Sequence, residues 1–178
     1  MHTAHPAKRV PVWFQDEARF GQHGTHSRVW ADTGSRPPAP RQTEYRSVSL
    51  FGAVCPETGQ SNAWLMPVAN TEALNAQLAD LGRQLAADVH AIVVWDRAGW
   101  HTTKQLTVPD TMTLLLLPSH APELNPVELV WHELRQRYLS NRVYADQASL
   151  EGAVAGRGTR WPTTPSGSSS CVTSAGFK

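Results

Sequence analysis

The chain has 178 residues, enough for one domain with a sizeable core, and its 40% hydrophobic content with seven Trp excludes a disordered chain. The formal net charge of +1 excludes nucleic-acid binding driven by overall charge, so any contact with DNA would depend on local basic patches. Two cysteines, Cys55 and Cys171, exclude a disulfide framework and a four-ligand zinc pattern.

The expected compartment follows from the apolar runs and the cysteines. Residues 1–9 are polar and lack the apolar core of a signal peptide. The longest strongly apolar run, residues 114–117, is far too short to cross a bilayer. Two cysteines without partners fit free thiols in a reducing compartment. We therefore expect a soluble cytoplasmic protein with no membrane partner.

The first part of the chain predicts three strands. Residues 10–14 are β-rich and run into Asp16, so the first strand carries an acid at its end. Residues 21–40 are rich in Gly, Pro, Arg and His and predict a loop or long hairpin. Residues 45–55 and 63–68 predict two further strands joined by a turn. Strands separated by turns indicate an antiparallel meander.

The hydrophobic period then changes to that of a helix. Thr71 is the expected N-cap of a helix whose apolar positions are Leu74, Leu78, Leu81 and Leu85. Residues 91–95 and 111–117 predict two strands, the first of them covered on both faces. Asn125 opens a last helix, whose apolar face holds Val127, Val130, Trp131, Leu134 and Tyr138. This order predicts an α/β fold with a mixed five-stranded sheet, three antiparallel strands followed by parallel strands, and flanking helices.

Two carboxylates stand out at the strands. Asp96 follows the buried run 91–95 directly, at the carboxyl end where open α/β sheets place their sites. An Asp that only helps the chain to turn is the alternative. Asp16 is an acid in a strand, where acids are disfavoured, and an edge or loop position is its alternative. Glu17 would face the opposite side of the sheet, so we expect Asp16 to point into a site.

A third carboxylate, Glu128, lies at the start of the last helix. With Asn125 as N-cap and Pro126 as the first helical residue, Glu128 is the third, a position that favours Glu for capping and helix-dipole reasons alone. Glu123 lies before the helix and Glu133 more than a turn further on, so both are weaker candidates. Three carboxylates from separate elements are the ligand set that Mg²⁺ or Mn²⁺ requires for phosphodiester cleavage.

Three sequence blocks contain these acids and resemble the signature blocks of bacterial insertion-sequence transposases, the DDE-type enzymes related to mariner elements. The blocks are FQDEARF (14–20), VWDRAGWH (94–101) and LPSHAPELNPVELVW (117–131). The third block is the most specific. The resemblance covers roughly residues 10–154.

The resemblance implies a ribonuclease H-like fold and a catalytic triad of Asp16, Asp96 and Glu128, the last two separated by 32 positions in the sequence. These residues would also bind two Mg²⁺ or Mn²⁺ ions. The implied reaction is cleavage of DNA at transposon ends, followed by attack of the freed 3′-hydroxyl on target DNA. The implied partners are transposon-end and target DNA, with a homodimer on DNA. Association with the nucleoid would follow.

Basic and histidine residues add further candidates. Arg28, Arg36 and Arg41 cluster, with Arg46, in the loop after the first strand and would track a phosphate backbone or form a solvated loop surface. Arg97 stands where many relatives have Asn, and His101 matches a frequent family His. Arg97 would contact DNA or pack locally. His101 would act near the metals, where DNA binds, or be a plain surface or loop His. His23, His26 and Asp32 are spaced for a transition metal, although a plain loop is the favoured interpretation.

The ends of the chain differ from the resembled family. We expect a leader at 1–9, a catalytic domain at 10–154, and a tail at 155–178 that is disordered or produced by a frameshift. Full-length relatives carry helix-turn-helix domains before the catalytic region, and nine residues cannot hold one. The alternatives to a transposase are an inactive remnant that at most binds DNA or a partner, and a nuclease of the same fold that cuts without joining.

Overall fold

A computed structural model describes residues 8–96, 105–119, 121–158 and 171–174. The strands are β1 (Val12–Gly21), β2 (Ser47–Cys55), β3 (Gln60–Met66), β4 (Ala91–Trp95), β5 (Met112–Leu116) and β6 (Cys171–Ser174). The α-helices are α1 (Thr71–Gln84), α2 (Val127–Glu133) and α3 (Gln147–Gly158). A 3₁₀ turn at Pro122–Leu124 precedes α2, and a π-helical segment at Leu134–Leu139 continues it.

Within the described ranges the strands form one sheet in the order β5-β4-β1-β2-β3-β6. β1, β2 and β3 pair antiparallel, and β4 and β5 run parallel to β1. The predicted meander and the parallel strands are thus confirmed. A sixth strand, β6, which the sequence did not predict, pairs with β3. It satisfies backbone groups that an edge strand would leave unpaired. It lies in the segment expected to be a tail, and α3 reaches Gly158, beyond the expected boundary at 154.

Helices cover both faces of the sheet because side chains alternate along each strand. On one face α1 packs through the predicted leucines Leu74, Leu78 and Leu81. On the other face α2 and α3 pack over β1, β2 and β3 through Val127, Trp131 and Leu150, among others. The N-cap of α1 is Asn70 rather than Thr71, because the Asn70 side chain accepts a hydrogen bond of 2.8 Å from the amide of Ala73.

A long loop, residues 22–46, joins β1 to β2 without regular structure of its own. It is longer than predicted, since β2 begins at Ser47. Asn141, at φ +54°, donates to the carbonyl of Ser27 and accepts from its amide, at 3.0 and 3.2 Å. Gln42 and Tyr144 exchange a second pair of hydrogen bonds, 2.6 and 2.9 Å long. The base of the loop is therefore attached to the segment between α2 and α3. In the described part of the chain, the helices are too short or too polar to cross a membrane.

Candidate active site

Asp16 lies inside β1. The sequence had indicated a position at the end of the strand, and this prediction was wrong. The strand continues to Gly21 because residues 14–21 pair along their whole length with β2. Asp16 shares its face of the sheet with Phe14, Ala18 and Phe20, which pack against α2 and α3. The preceding Gln15 points to the other face, where it donates a hydrogen bond of 3.3 Å to Gln77 of α1. Alternation places Glu17 on that α1 face as well.

The Asp16 carboxylate is held by Trp131 of α2. The indole Nε1 donates a hydrogen bond of 2.8 Å to Oδ2 of Asp16. The Trp131 side chain is 1% exposed and meets Phe20 edge to face, with ring centroids 6.1 Å apart. Packing therefore fixes the donor, and the donor fixes one oxygen of the carboxylate.

Burial dominates the electrostatics of Asp16. The residue is 8% exposed, and burial raises the pKa of its carboxyl group to about 7. The hydrogen bond from Trp131 lowers this pKa, and the negative charges of Glu17 and Glu128 raise it further. Among the described residues, no Lys or Arg forms an ion pair with Asp16. A divalent cation would supply the missing positive charge, so the site suits one chemically.

Asp96 follows the strand that neighbours β1. The parallel register pairs Val12, Trp13 and Phe14 of β1 with Ile92, Val93 and Val94 of β4. Continued two residues past the last observed pair, the same register would bring Asp96, the residue directly after β4, level with Asp16. Adjacent strands are about 5 Å apart, and residues in parallel register point to the same face. Asp96 is exposed and follows the last residue of β4, as predicted.

Glu128 lies in the first turn of α2 and is exposed. The helix begins at Val127, and the Asn125 side chain accepts from the amide of Val127 at 3.2 Å, so Asn125 caps the helix as expected. A capping box would require Glu128 to bind the amide of Asn125. That amide donates instead to the carbonyl of Pro122 at 2.9 Å. The alternative in which Glu128 serves the start of the helix therefore rests on its favourable position in the helix dipole.

The start of α2 is attached to β1 next to Asp16. Asn125, which is 4% exposed, donates from Nδ2 to the carbonyl of Gln15 at 3.0 Å. The two competing acids lie elsewhere: Glu123 is exposed in the 3₁₀ turn, and Glu133 forms an ion pair of 3.0 Å with Arg137. Asn125 and Trp131 thus connect the helix that carries Glu128 to the strand that carries Asp16.

The arrangement brings two of the three predicted acids within electrostatic reach of each other, and the third follows the neighbouring strand. The negative charge of Glu128 raises the pKa of Asp16, and Asp96 comes directly after β4. Within the ranges that the structure describes, no three His, Cys, Asp or Glu side chains are placed to hold one metal ion.

Sequence reasoning missed the contacts of Trp131 and Asn125 with β1. It assigned Trp131 to the apolar face of the last helix and Asn125 to its cap, both correctly. The sequence did indicate that Trp131 would make a hydrogen bond, because a buried indole usually needs an acceptor for its N–H. Which acceptor it finds is a question of tertiary packing.

The basic and histidine candidates lie away from these acids in sequence. Arg28, Arg36 and Arg41 are exposed on the loop 22–46. His23 stacks on Tyr45 with ring centroids 6.0 Å apart, and His26 bonds to the carbonyl of Pro40 at 2.9 Å, so neither joins a metal site with Asp32. Arg97 and His101 lie outside the described residues.

Comparison with known proteins gives the family. The model of the DDE superfamily endonucleases matches residues 11–151. The uncharacterised protein y4pE/y4sA of Sinorhizobium fredii is 47% identical over 97 residues, 54% of this chain and 72% of that protein. The pre-cleavage Mos1 transpososome has a TM-score of 0.59 at 16% identity, covering 83% of this chain and 48% of that one. The Mos1 strand transfer complex has 0.56 at 16%, covering 79% and 44%.

The match spans less than half of each Mos1 chain, and at this identity it shows a shared fold. The sheet order and the helices on both faces accordingly define the ribonuclease H-like fold that the sequence predicted. The family match includes all three sequence blocks. The chain belongs to the DDE superfamily endonucleases.

Proposed function

We propose that this chain is the catalytic part of a transposase, which cuts DNA and transfers the cut strand to a target. The observation that supports the proposal is the parallel register of β1 and β4, which pairs Phe14 with Val94 and, continued by two residues, would bring Asp16 level with Asp96. The hydrogen bond from Trp131 then brings the helix that carries Glu128 to the same face. In a family of endonucleases, three acids from a central strand, its neighbour and a helix start are a candidate catalytic triad.

Asp16, Asp96 and Glu128 would hold two Mg²⁺ or Mn²⁺ ions. Similar structures of the Mos1 paired-end complex contain Mn and Mg, and carboxylate oxygens are the ligands that both ions prefer. Bound there, the ions would activate the attacking oxygen and stabilise the leaving oxygen of the phosphodiester. The buried Asp16, with a pKa near 7 and no cationic side chain of the described residues paired to it, is the observation that favours a cation.

The roles that we assign to the side chains themselves follow from how exposed each one is. Asp16 is buried and fixed by Trp131, so it gives the site a rigid base. Asp96 and Glu128 are exposed and accessible to a DNA backbone. Exposed arginines of the loop 22–46 would contact phosphates on either side of the cut, and we assign this role to Arg28, Arg36 and Arg41.

The proposed substrates are transposon ends and target DNA, and the proposed assembly is a homodimer on DNA. The similar Mos1 structures include paired-end complexes and a strand transfer complex. One site for each of two transposon ends would require two copies of the chain. Light scattering of the protein with and without a short duplex tests this assembly directly.

The activity is tested by nicking of supercoiled plasmid in Mn²⁺. We expect the parent protein to nick the plasmid and Asp96→Asn and Glu128→Gln to lose this activity. Glu123→Gln is the matched control, because Glu123 is exposed five residues before Glu128 and belongs to the 3₁₀ turn. Equal nicking by all variants would contradict the proposed triad.

Product analysis separates the alternatives. Joined strands in the same reaction support a transposase, and cut strands without joining support a nuclease of the same fold. A folded parent protein that neither binds Mn²⁺ nor nicks DNA would overturn the proposal in favour of an inactive remnant. Among the described residues no three acids are placed to hold one metal ion, so the proposal requires Mn²⁺ to draw them together, and Mn²⁺ binding is measured on the same sample.

A further inference from the structure

Trp131 contacts the candidate site without belonging to the candidate triad. It lies on α2 one turn after Glu128, and its indole spans 115 positions of sequence to reach Oδ2 of Asp16 at 2.8 Å. The side chain is 1% exposed and packs edge to face on Phe20. The indole therefore approaches the carboxylate in one orientation only.

A second contact fixes the distance between the first turn of α2 and the backbone beside Asp16. Asn125 donates to the carbonyl of Gln15 and accepts from the amide of Val127, so the first turn of α2 is tied to the backbone beside Asp16. One attachment would leave α2 free to pivot about it. Two attachments, at Asn125 and at Trp131, hold the turn that carries Glu128 in a fixed relation to Asp16.

We propose that Trp131 is a positioning residue that orients the Asp16 carboxylate for metal binding. The inference rests on the proposed function, in which Asp16 is a metal ligand. A hydrogen bond from a fixed donor to a carboxylate is directional and charge-assisted, so it selects one rotation of the carboxylate. Groups that orient metal ligands in this way typically contribute about 10- to 100-fold in metal affinity.

A second buried tryptophan provides a matched control. Trp13 is 3% exposed and packs on the α1 face of the same strand. Within the described residues its Nε1 has no hydrogen-bond partner. Trp13→Phe therefore removes the same atoms from the core as Trp131→Phe, but it breaks no hydrogen bond to a carboxylate.

The test is Mn²⁺ affinity measured by calorimetry on the full chain. We expect Trp131→Phe to weaken Mn²⁺ binding by about 10-fold or more, and Trp13→Phe to leave it unchanged. A role in packing alone would lower the thermal stability of both variants and spare the affinity of both. Unchanged Mn²⁺ affinity in a folded Trp131→Phe protein would overturn the inference.

A measurement on the parent protein covers the case in which Trp131→Phe does not fold. In ¹⁵N-labelled protein, the indole N–H signal of Trp131 should move during a Mg²⁺ titration, with the midpoint of Mg²⁺ binding seen by calorimetry. The signal of Trp13 should stay in place. A stationary Trp131 signal at saturating Mg²⁺ would refute the inference while leaving the proposed function intact. Absence of any metal binding by the parent would refute both.

Discussion

Replacing Asp16 by Asn should stabilise the metal-free protein at alkaline pH and have little pH-dependent effect in acid. Burial raises the pKa of Asp16 from 3.8 to about 7 in the folded chain. The unfolded chain releases this proton near pH 3.8, whereas the folded chain keeps it until about pH 7. The folded state binds more protons in that window, so its stability falls as the pH rises through it.

The magnitude follows from the size of the pKa shift. A difference of about three pKa units corresponds to about 4 kcal/mol, since one unit is worth about 1.4 kcal/mol. Asp16 is 8% exposed, so solvent screening reduces this figure only slightly. The loss is complete above about pH 7 and absent well below pH 3.8. Asp16→Asn removes the ionisation and should therefore recover most of this energy at about pH 8.

Urea unfolding in EDTA at about pH 4 and about pH 8 measures the effect. The quantity of interest is the difference in unfolding free energy between Asp16→Asn and the parent, compared between the two pH values. Asp16→Ala is the matched control. It also removes the charge, so its pH-dependent change should equal that of Asp16→Asn, and a constant penalty for the lost contact with Trp131 should be added.

A difference that is equal at both pH values would refute the reasoning, because it would mean that folding does not desolvate the Asp16 carboxylate. Mn²⁺ provides a further check. A ligand of the folded state raises stability by mass action, so Mn²⁺ should stabilise the parent and not Asp16→Asn. The difference in unfolding free energy between Asp16→Asn and the parent at about pH 8 should then become smaller or change sign when the metal is added.

Three further substitutions test the packing around the site by urea unfolding. Asn125→Ala should cost about 2–3 kcal/mol, because it removes the hydrogen bond to the Gln15 carbonyl and the one accepted from the amide of Val127; a neutral result would contradict the attachment of α2 to β1. Asn141→Ala should cost about 2 kcal/mol and speed proteolysis of the loop 22–46, while Asn141→Gly should cost about 1 kcal/mol less, since φ is +54° there. Equal losses would show that backbone strain plays no part. Gly152→Ala should stabilise α3 by up to about 1 kcal/mol, since no atom lies within 4 Å of the added Cβ. Destabilisation would show that the helix surface is not open.

Elements whose signal is local could be predicted from the order of residues alone. The apolar run 91–95 predicted β4 and the position of Asp96 directly after it, and both are observed. The leucine spacing predicted α1, and Asn125 predicted the start of α2 to within two residues. Hydrophobic period and capping depend on neighbours within a few positions, so they can be read from the chain. The family resemblance was carried by three short blocks for the same reason.

Which of these elements meet is a property of the folded chain. The extent of β1 to Gly21 depends on pairing with β2, and the position of Asp16 relative to the end of β4 depends on the register between these two strands. The Asp16 carboxylate that accepts from the Trp131 indole lies 115 positions away in the sequence. The burial that raises the pKa of Asp16 likewise comes from parts of the chain that are distant in sequence. Sheet order and register are set by the burial of whole faces rather than by a local pattern. Contacts between distant residues, and the charge states that follow from them, therefore become defined only when the chain has folded.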